Sequence, residues 1–231
     1  MARKLRGRLV DLSHSLQPGK EEYHLDLVTH FTDELYPQYK RSPDTWYILQ
    51  DINMSSHCGT HIEFPYHHNR TGMDAASFPL ERLVGDCVLL DFRHKQPGDM
   101  VSREDLEPHS DKIKAEDMLP FNFNCAQFYR TSRSHNRPQI AYDAIQWLIF
   151  EKKISLIGSD ASGIELKGVV DQPNHQLLMD NEIPIIEFAA HLDDLHAQRF
   201  TLFVLALGVR GLDSCPVRLL ALEDPPGASH E

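Results

Sequence analysis

The chain has 231 residues, of which 41% are hydrophobic and 25% are charged, and its formal net charge at pH 7 is -11. This length and composition predict a folded globular protein and exclude a disordered or fibrous one. Its apolar runs fall well short of the roughly 20 residues that a membrane-spanning helix needs. The acidic balance also disfavours nucleic-acid binding, because affinity for phosphates depends on clustered Lys and Arg.

Two features of the sequence predict a cytoplasmic location. The amino-terminal positive charges are not followed by an apolar run, so we expect no secretory signal. The cysteines are widely spaced and form no CxxC pair, which is typical of a reducing compartment and argues against a thiolate zinc site. They are Cys58, Cys87, Cys125 and Cys215.

The elements predicted in chain order alternate between strands and helices. They are a strand at 7–12, a long lid-like loop at 20–50, a strand at 84–92, a helix beginning at the capping box of Ser102, a strand at 123–129, a helix at 141–153, a strand at 155–159, a short helix at 172–180 and a strand at 201–209. The near-continuous apolar runs predict central strands that are covered on both faces. This alternation predicts an α/β fold with flanking helices.

We find no repeat or low-complexity tract, so the sequence predicts a single domain over 1–224. Residues 225–231, rich in Pro and Gly, are predicted to form a disordered tail. The segment at 20–50 is rich in Tyr, His and acidic residues and shows little periodicity. Loops of such length are uncommon inside a compact domain and often functional, so we expect this segment to cover a site.

Fourteen histidines are an unusual number, and several of them occur close together in the sequence HCGTHIEFPYH at 57–67. If this segment is extended, alternate side chains project to one side. Pro65 favours an extended conformation for Phe64, and Gly59 disfavours a helix. The residues on the shared side are His57, His61, Glu63 and His67.

Two imidazoles and one carboxylate form a donor set that suits Zn, Mn, Fe or Co and leaves coordination positions open. Burial of several ionisable groups without a compensating ion is costly, so His57, His61 and Glu63 are predicted metal ligands. Three interpretations of His67 stay open at this point: a ligand, a proton shuttle or an exposed residue.

The same segment resembles the HxGTHxDxPxH motif of the cyclase family of metal-dependent hydrolases, which includes bacterial kynurenine formamidase and isatin hydrolase. Further similarity lies in VDLSH at 10–14, in IGSDAS at 157–162 and in the region 175–187. The resemblance extends over about 9–210. It implies mixed central sheets of the swivelling β/β/α type and a homodimer or higher homo-oligomer.

The resemblance further implies that Glu63 bridges to a second metal held by His175 and Glu187, with His67 as the general acid/base. Glu63 stands where the family usually has Asp, and its extra methylene leaves open whether one or two ions bind. Zn and Mn are the expected metals. No further cofactor is expected.

The expected reaction is hydrolysis of a C–N bond in a small amide, formamide or lactam by metal-activated water. The alternatives are a metal-assisted cyclase or lyase and a non-catalytic metal-binding or small-ligand-binding protein. Residues 16–19 lack the Trp that kynurenine formamidases usually carry there, so no substrate is assigned. Trp46 is an alternative stacking residue, and it is equally well explained as a packed loop aromatic.

Other residues have less specific interpretations. The basic residues Arg130, Arg133 and Arg137 fit a solvated loop or a site for a substrate carboxylate. Asp160 is a candidate acceptor for a ligand histidine. Cys58 is expected to be a packed core thiol rather than a nucleophile.

Overall fold

The computed structural model describes residues 7–42 and 44–225. Within those ranges the strands are β1 (Arg8–Asp11), β2 (Leu25–Phe31), β3 (Ile48–Met54), β4 (His61–Glu63), β5 (Val84–Val88), β6 (Leu90–Asp91), β7 (Met100–Val101), β8 (Met118–Asn122), β9 (Gln139–Ile140), β10 (Leu156–Ser159), β11 (Ile185–Glu187), β12 (Arg199–Leu205), β13 (Ser214–Pro216) and β14 (Arg218–Glu223). Apart from Pro225, the predicted tail lies outside the described residues.

Ten of the described strands form one mixed sheet in the order β1-β14-β12-β5-β8-β10-β11-β4-β13, with β6 paired to β8. The central strands β5, β8, β10 and β11 run parallel to one another. Antiparallel strands flank them, β12 on one side and β4 followed by β13 on the other. Two further pairs, β2–β3 and β7–β9, each form a two-stranded sheet outside this one.

The helices are short. They are α1 (Thr32–Leu35), α2 (Arg103–Leu106), α3 (Tyr142–Trp147) and α4 (Pro173–Asp180), and a π-helical turn (Leu148–Lys152) continues α3. Further 3₁₀ turns lie at Pro65–His67, Leu80–Arg82, Glu107–Lys112, Ala126–Phe128 and Leu192–Asp194. No helix in the described part of the chain has the length and apolar character needed to cross a membrane.

The alternation of side chains along the central strands produces two hydrophobic cores. Ile157 and Ile185 contribute to the core that also contains buried residues of α3 and α4. Their chain neighbours, Leu156 and Ile186, contribute to the core on the other side of the sheet, because successive strand residues point to opposite faces. This arrangement confirms the predicted α/β class with a mixed sheet and flanking helices.

Two predicted segments differ from the structure. The segment at 20–50 is not one long loop, because much of it belongs to an antiparallel hairpin in which β2 and β3 pair from Leu25↔Met54 to Phe31↔Ile48. The strand predicted at 123–129 is wrong. There, backbone N–H groups of Phe123, Cys125 and Ala126 donate to the buried Asp160 carboxylate at 2.6–3.2 Å instead of to a neighbouring strand.

Two of the predicted apolar strands also differ in burial. The residues of β10 are all buried, as expected of a central strand with both faces covered. In β12 buried residues alternate with partly exposed ones, so only one face of this strand is covered. The capping box at Ser102 is confirmed, since its hydroxyl accepts a hydrogen bond from the Asp105 backbone N–H.

Candidate metal centre

Strand β4 supplies two of the candidate ligands from one face. His61 and Glu63 are two residues apart, so their side chains project in the same direction. Glu187, the last residue of β11, pairs with His61 in the register of the two antiparallel strands. Directly opposed residues on neighbouring strands point to the same side of a sheet, so this pairing adds a second carboxylate to the face of β4.

His57 reaches this face from the turn between β3 and β4. Gly59 has a φ of +70° there, and a Cβ at this position would collide with the side chain of Leu16. The turn bends the chain so that His57 Nε2 lies 3.2 Å from Glu63 Oε1. The Ser56 hydroxyl lies 3.0 Å from the other ring nitrogen of His57 and orients the ring.

The Glu63 carboxylate lies between two sets of donors. Its Oε1 faces the Nε2 atoms of His57 and His61, at 3.2 and 3.9 Å. Its Oε2 faces His175 Nε2 at 3.5 Å. Donor atoms of two triads lie within 4.8 Å of one another: His57, His61 and Glu63 form the first, and Glu63, His175 and Glu187 form the second.

His175 belongs to the first turn of α4, and Glu165 fixes its orientation. The Glu165 carboxylate lies 3.0 Å from His175 Nδ1, which directs Nε2 toward Glu63 and Glu187. Gly163, with a φ of +106°, approaches the same region closely, since a Cβ there would lie 2.6 Å from Glu187 Oε1. A side chain at this position would displace the Glu187 carboxylate.

Three donor atoms at the centre have no hydrogen-bond partner among the described residues. They are His57 Nε2, His61 Nε2 and Glu63 Oε2, and all three are buried. His61 Nδ1 lies 2.8 Å from the Gly59 carbonyl, which holds that proton and leaves the Nε2 lone pair free. Buried polar atoms are nearly always satisfied in folded proteins, so these three atoms fit a bound divalent metal.

The electrostatics of the metal-free centre follow from its concentration of carboxylates. Burial alone would lower the pKa of His175, but hydrogen bonds to Glu165 and Glu187 outweigh it and raise the pKa to about 10. Burial alone would raise the pKa of Glu63, yet His57 and His61 hold it well below its usual range.

His67 lies at the edge of the centre, in the 3₁₀ turn that follows β4. Its Nε2 is 3.7 Å from Glu63 Oε1, and its Nδ1 is 2.9 Å from Asp213 Oδ2. Burial alone would raise the pKa of Asp213, but the hydrogen bond to His67 and the charge of His57 lower it. Asp213 is therefore a carboxylate that accepts a hydrogen bond from the imidazole.

The structure brings all six predicted site residues together. The extended conformation predicted for 57–67 is correct only for β4, because His57 lies in a turn and His67 lies in a 3₁₀ turn. The sequence did not indicate Glu165 or Asp213, which are distant from the motif along the chain. Glu165 lies three residues after the IGSDAS segment, and that proximity is its one signal in the sequence, whereas Asp213 has no comparable signal.

The residues with less specific roles predicted from the sequence lie outside the group of candidate ligands. Asp160 binds backbone N–H groups and so does not orient a ligand histidine. Trp46 is largely exposed on the β2–β3 hairpin, where its ring lies edge-on to Phe31. Cys58 is fully buried, and burial raises the pKa of its thiol to about 11, which disfavours a nucleophilic thiolate.

The three arginines have structural contacts. Arg130 Nε donates to the buried Glu21 carboxylate at 3.2 Å, and Arg133 lies over the Phe128 ring. Arg137 donates to the backbone carbonyls of Ser162, Pro138 and Glu165. Arg137 therefore supports the loop that carries Glu165 and is not a solvated loop residue.

Comparisons with known proteins agree with this architecture. Residues 10–166 match the model of the Cyclase family, described as "Putative cyclase". A kynurenine formamidase from Erythrobacter litoralis (strain HTCC2594) is 28% identical over 222 residues, which cover 96% of this chain and 97% of the relative. The family model spans more than half of the chain, so the protein belongs to the Cyclase family.

Solved structures share the fold along nearly the whole length. Isatin hydrolase A from Ralstonia solanacearum superposes with a TM-score of 0.79 at 19% identity, covering 94% of this chain and 92% of its own. A structure described as a potential metal-dependent hydrolase with cyclase activity gives a TM-score of 0.74 at 26% identity, covering 95% of this chain and 99% of its own.

Proposed function

We propose that this protein is a metal-dependent amidohydrolase that cleaves the C–N bond of a small amide, formamide or lactam. The observation that carries the proposal is the Glu63 carboxylate between two donor sets, with three buried donor atoms unsatisfied and His67 beside them. The similarity to a kynurenine formamidase and to a metal-dependent hydrolase supports the same reaction class.

His57, His61 and Glu63 would hold one divalent metal, and Glu63, His175 and Glu187 a second. Mixed imidazole and carboxylate donors suit Zn and Mn, which we propose as the metals. A metal held in such a site lowers the pKa of a bound water from about 15.7 toward 7 and polarises an amide carbonyl.

The residues of the chain supply the proton transfers. His67 Nε2 faces the centre and would accept a proton from the attacking water, then deliver it to the leaving nitrogen of the substrate. Its imidazole is a quarter exposed, so the proton can also exchange with solvent. Tyr23, whose ring centroid lies 6.1 Å from that of His57, borders the same region and offers an aromatic surface to a small substrate.

The test is turnover of N-formyl aromatics, isatin-like lactams, cyclic imides and cyclic ureides by protein loaded with Zn or Mn in ¹⁸O-labelled water. Hydrolysis places one solvent oxygen in the acid product, whereas a lyase or cyclase places none. We expect His67→Ala to retain its metal and lose about 10²–10⁴-fold in kcat. Turnover that survives in His67→Ala would exclude this residue as the acid/base, and unlabelled product would exclude hydrolysis.

We further propose that the protein is cytoplasmic and forms a homodimer or a higher homo-oligomer. The β2–β3 hairpin exposes large apolar side chains, among them Leu27 and Ile52, which pair directly across the two strands and therefore share one face. An isolated two-stranded hairpin is marginally stable in water, and contiguous exposed apolar surface is typical of an interface. The hairpin would pack against a second copy of the chain.

The oligomer is tested by light scattering after size-exclusion chromatography. Leu27→Glu combined with Ile52→Glu should yield a monomer at concentrations where the wild type is oligomeric. Leu80→Glu is the matched control, because Leu80 is 78% exposed on a separate 3₁₀ turn. A double variant that elutes like the wild type would contradict the role of the hairpin.

A further inference from the structure

The backbone of Asp213 is fixed beside the candidate centre. Asp213 directly precedes β13, and its carbonyl accepts a hydrogen bond of 2.8 Å from the Phe64 N–H. The next residue, Ser214, pairs with Glu63 in the register of β13 and β4. Pairing with β4, the strand that carries Glu63, therefore fixes the backbone position of Asp213.

The Asp213 side chain contacts the Nδ1 edge of the His67 ring, whereas the Nε2 atom of the same ring faces Glu63. A carboxylate has no proton to donate, so the 2.9 Å contact between Asp213 Oδ2 and His67 Nδ1 requires the proton on Nδ1. The neutral imidazole then carries its lone pair on Nε2, the atom 3.7 Å from Glu63 Oε1. Without this acceptor, the ring is free to adopt the other tautomer or to rotate.

We propose that Asp213 is the positioning residue for His67, holding the imidazole as its Nδ1–H tautomer with Nε2 toward the substrate. This inference rests on the proposed amidohydrolase function. Asp213 takes no proton during the reaction. The proton moves from water to His67 Nε2 and from there to the leaving nitrogen, while the Nδ1–H···Asp213 hydrogen bond stays in place and stabilises the imidazolium.

The kinetic test is a double-mutant cycle on metal-loaded protein. Asp213→Asn should lower kcat about 10–100-fold and leave KM within about 2-fold, because the amide no longer fixes the tautomer. In the His67→Ala background the same substitution should change the residual kcat less than about 2-fold, since the residue through which Asp213 acts is absent. Asp91→Asn, which removes a surface carboxylate paired with Arg93, is the control and should match the wild type.

Two kinetic outcomes would overturn the proposal. One is that Asp213→Asn lowers kcat by the same factor in the His67→Ala background as in the wild type, which would indicate a general structural role for Asp213. The other is a fall in bound metal in Asp213→Asn, since His57, His67 and Asp213 also form a group with donor atoms within 4.8 Å. That result would assign Asp213 as a ligand.

The tautomer itself is measured without turnover. Long-range ¹H–¹⁵N NMR spectra of the metal-loaded protein should show His67 protonated at Nδ1, with the signals assigned by their absence in His67→Gln. Asp213→Asn should change this pattern to a mixture of tautomers. If His67 of the wild type is protonated at Nε2, the positioning role of Asp213 is wrong, even if the protein hydrolyses amides. If His67 is protonated at Nδ1 but no amide is hydrolysed, the positioning role is retained and the proposed function fails.

Discussion

Glu165 accepts two hydrogen bonds from His175, one from the backbone N–H and one from ring Nδ1, and each is 3.0 Å long. The carboxylate thereby fixes both the first turn of α4 and the tautomer of the histidine. Outer carboxylates of this kind raise the basicity of a metal-binding imidazole and hold its orientation. The second donor triad thus depends on a residue that is not itself a ligand.

Removal of this support should weaken the second metal position selectively. We expect Glu165→Ala to lower the affinity for the second equivalent of Zn or Mn about 10–100-fold and to leave the first unchanged, as measured by titration calorimetry and elemental analysis. Glu182→Ala is the control, since its carboxylate is exposed beside Arg82. A second-equivalent affinity in Glu165→Ala that equals the wild-type value would exclude the supporting role.

The shared carboxylate predicts an asymmetry between two other substitutions. Glu63 belongs to both donor triads and Glu187 only to the second. Glu63→Ala should therefore reduce the content of both metal equivalents, whereas Glu187→Ala should leave about one bound. Elemental analysis of dialysed protein distinguishes these results, and a single equivalent in wild-type protein would show that Glu63 does not bridge.

The raised pKa of His175 predicts how pH affects the metal-free protein. The value rises from 6.5 in the unfolded chain to about 10 in the fold, so the protonated imidazole stabilises the folded state. This contribution is complete below pH 6.5 and is lost as pH rises toward 10, with a slope of about 1.4 kcal/mol per pH unit. Chemical denaturation of the apoprotein between pH 6.5 and 10 measures it, and His175→Gln should flatten the slope.

The same proton competes with the metal. His175 must release its proton before Nε2 binds a cation, so the affinity for the second metal should increase up to about tenfold per pH unit across this range. Calorimetric titrations in buffers of different ionisation enthalpy will count the protons released. An affinity that does not change with pH would mean that His175 takes no part in binding.

Asp160 provides a stability test that is separate from the metal centre. Its two carboxylate oxygens accept backbone N–H groups of Phe123, Cys125 and Ala126. An amide nitrogen in Asp160→Asn would face a donor, so we expect a loss of roughly 2–3 kcal/mol in the free energy of unfolding. Metal content should stay unchanged, and a loss of metal without destabilisation would return Asp160 to the ligand-orienting role.

The sequence predicts those site residues whose spacing along the chain determines the direction of their side chains. His61 and Glu63 lie two apart on a strand, so their common direction follows from the pleat alone. Asp213 and Glu165 carry no such local signal, because strand register and the approach of α4 bring them to the histidines. The apolar pattern at 123–129 favours a strand, but its backbone donors bind the side chain of Asp160, which lies far along the chain.

The candidate centre draws on three adjacent strands, β11, β4 and β13, that are far apart in the chain. More than half of the sequence separates His61 from Glu187, and Asp213 follows later still. A chain emerging from the ribosome thus presents His57, His61 and Glu63 long before their partners are made. The second donor triad can form only after His175 and Glu187 have been synthesised and β11 has paired with β4, so metal binding at that triad would report that this part of the sheet has folded.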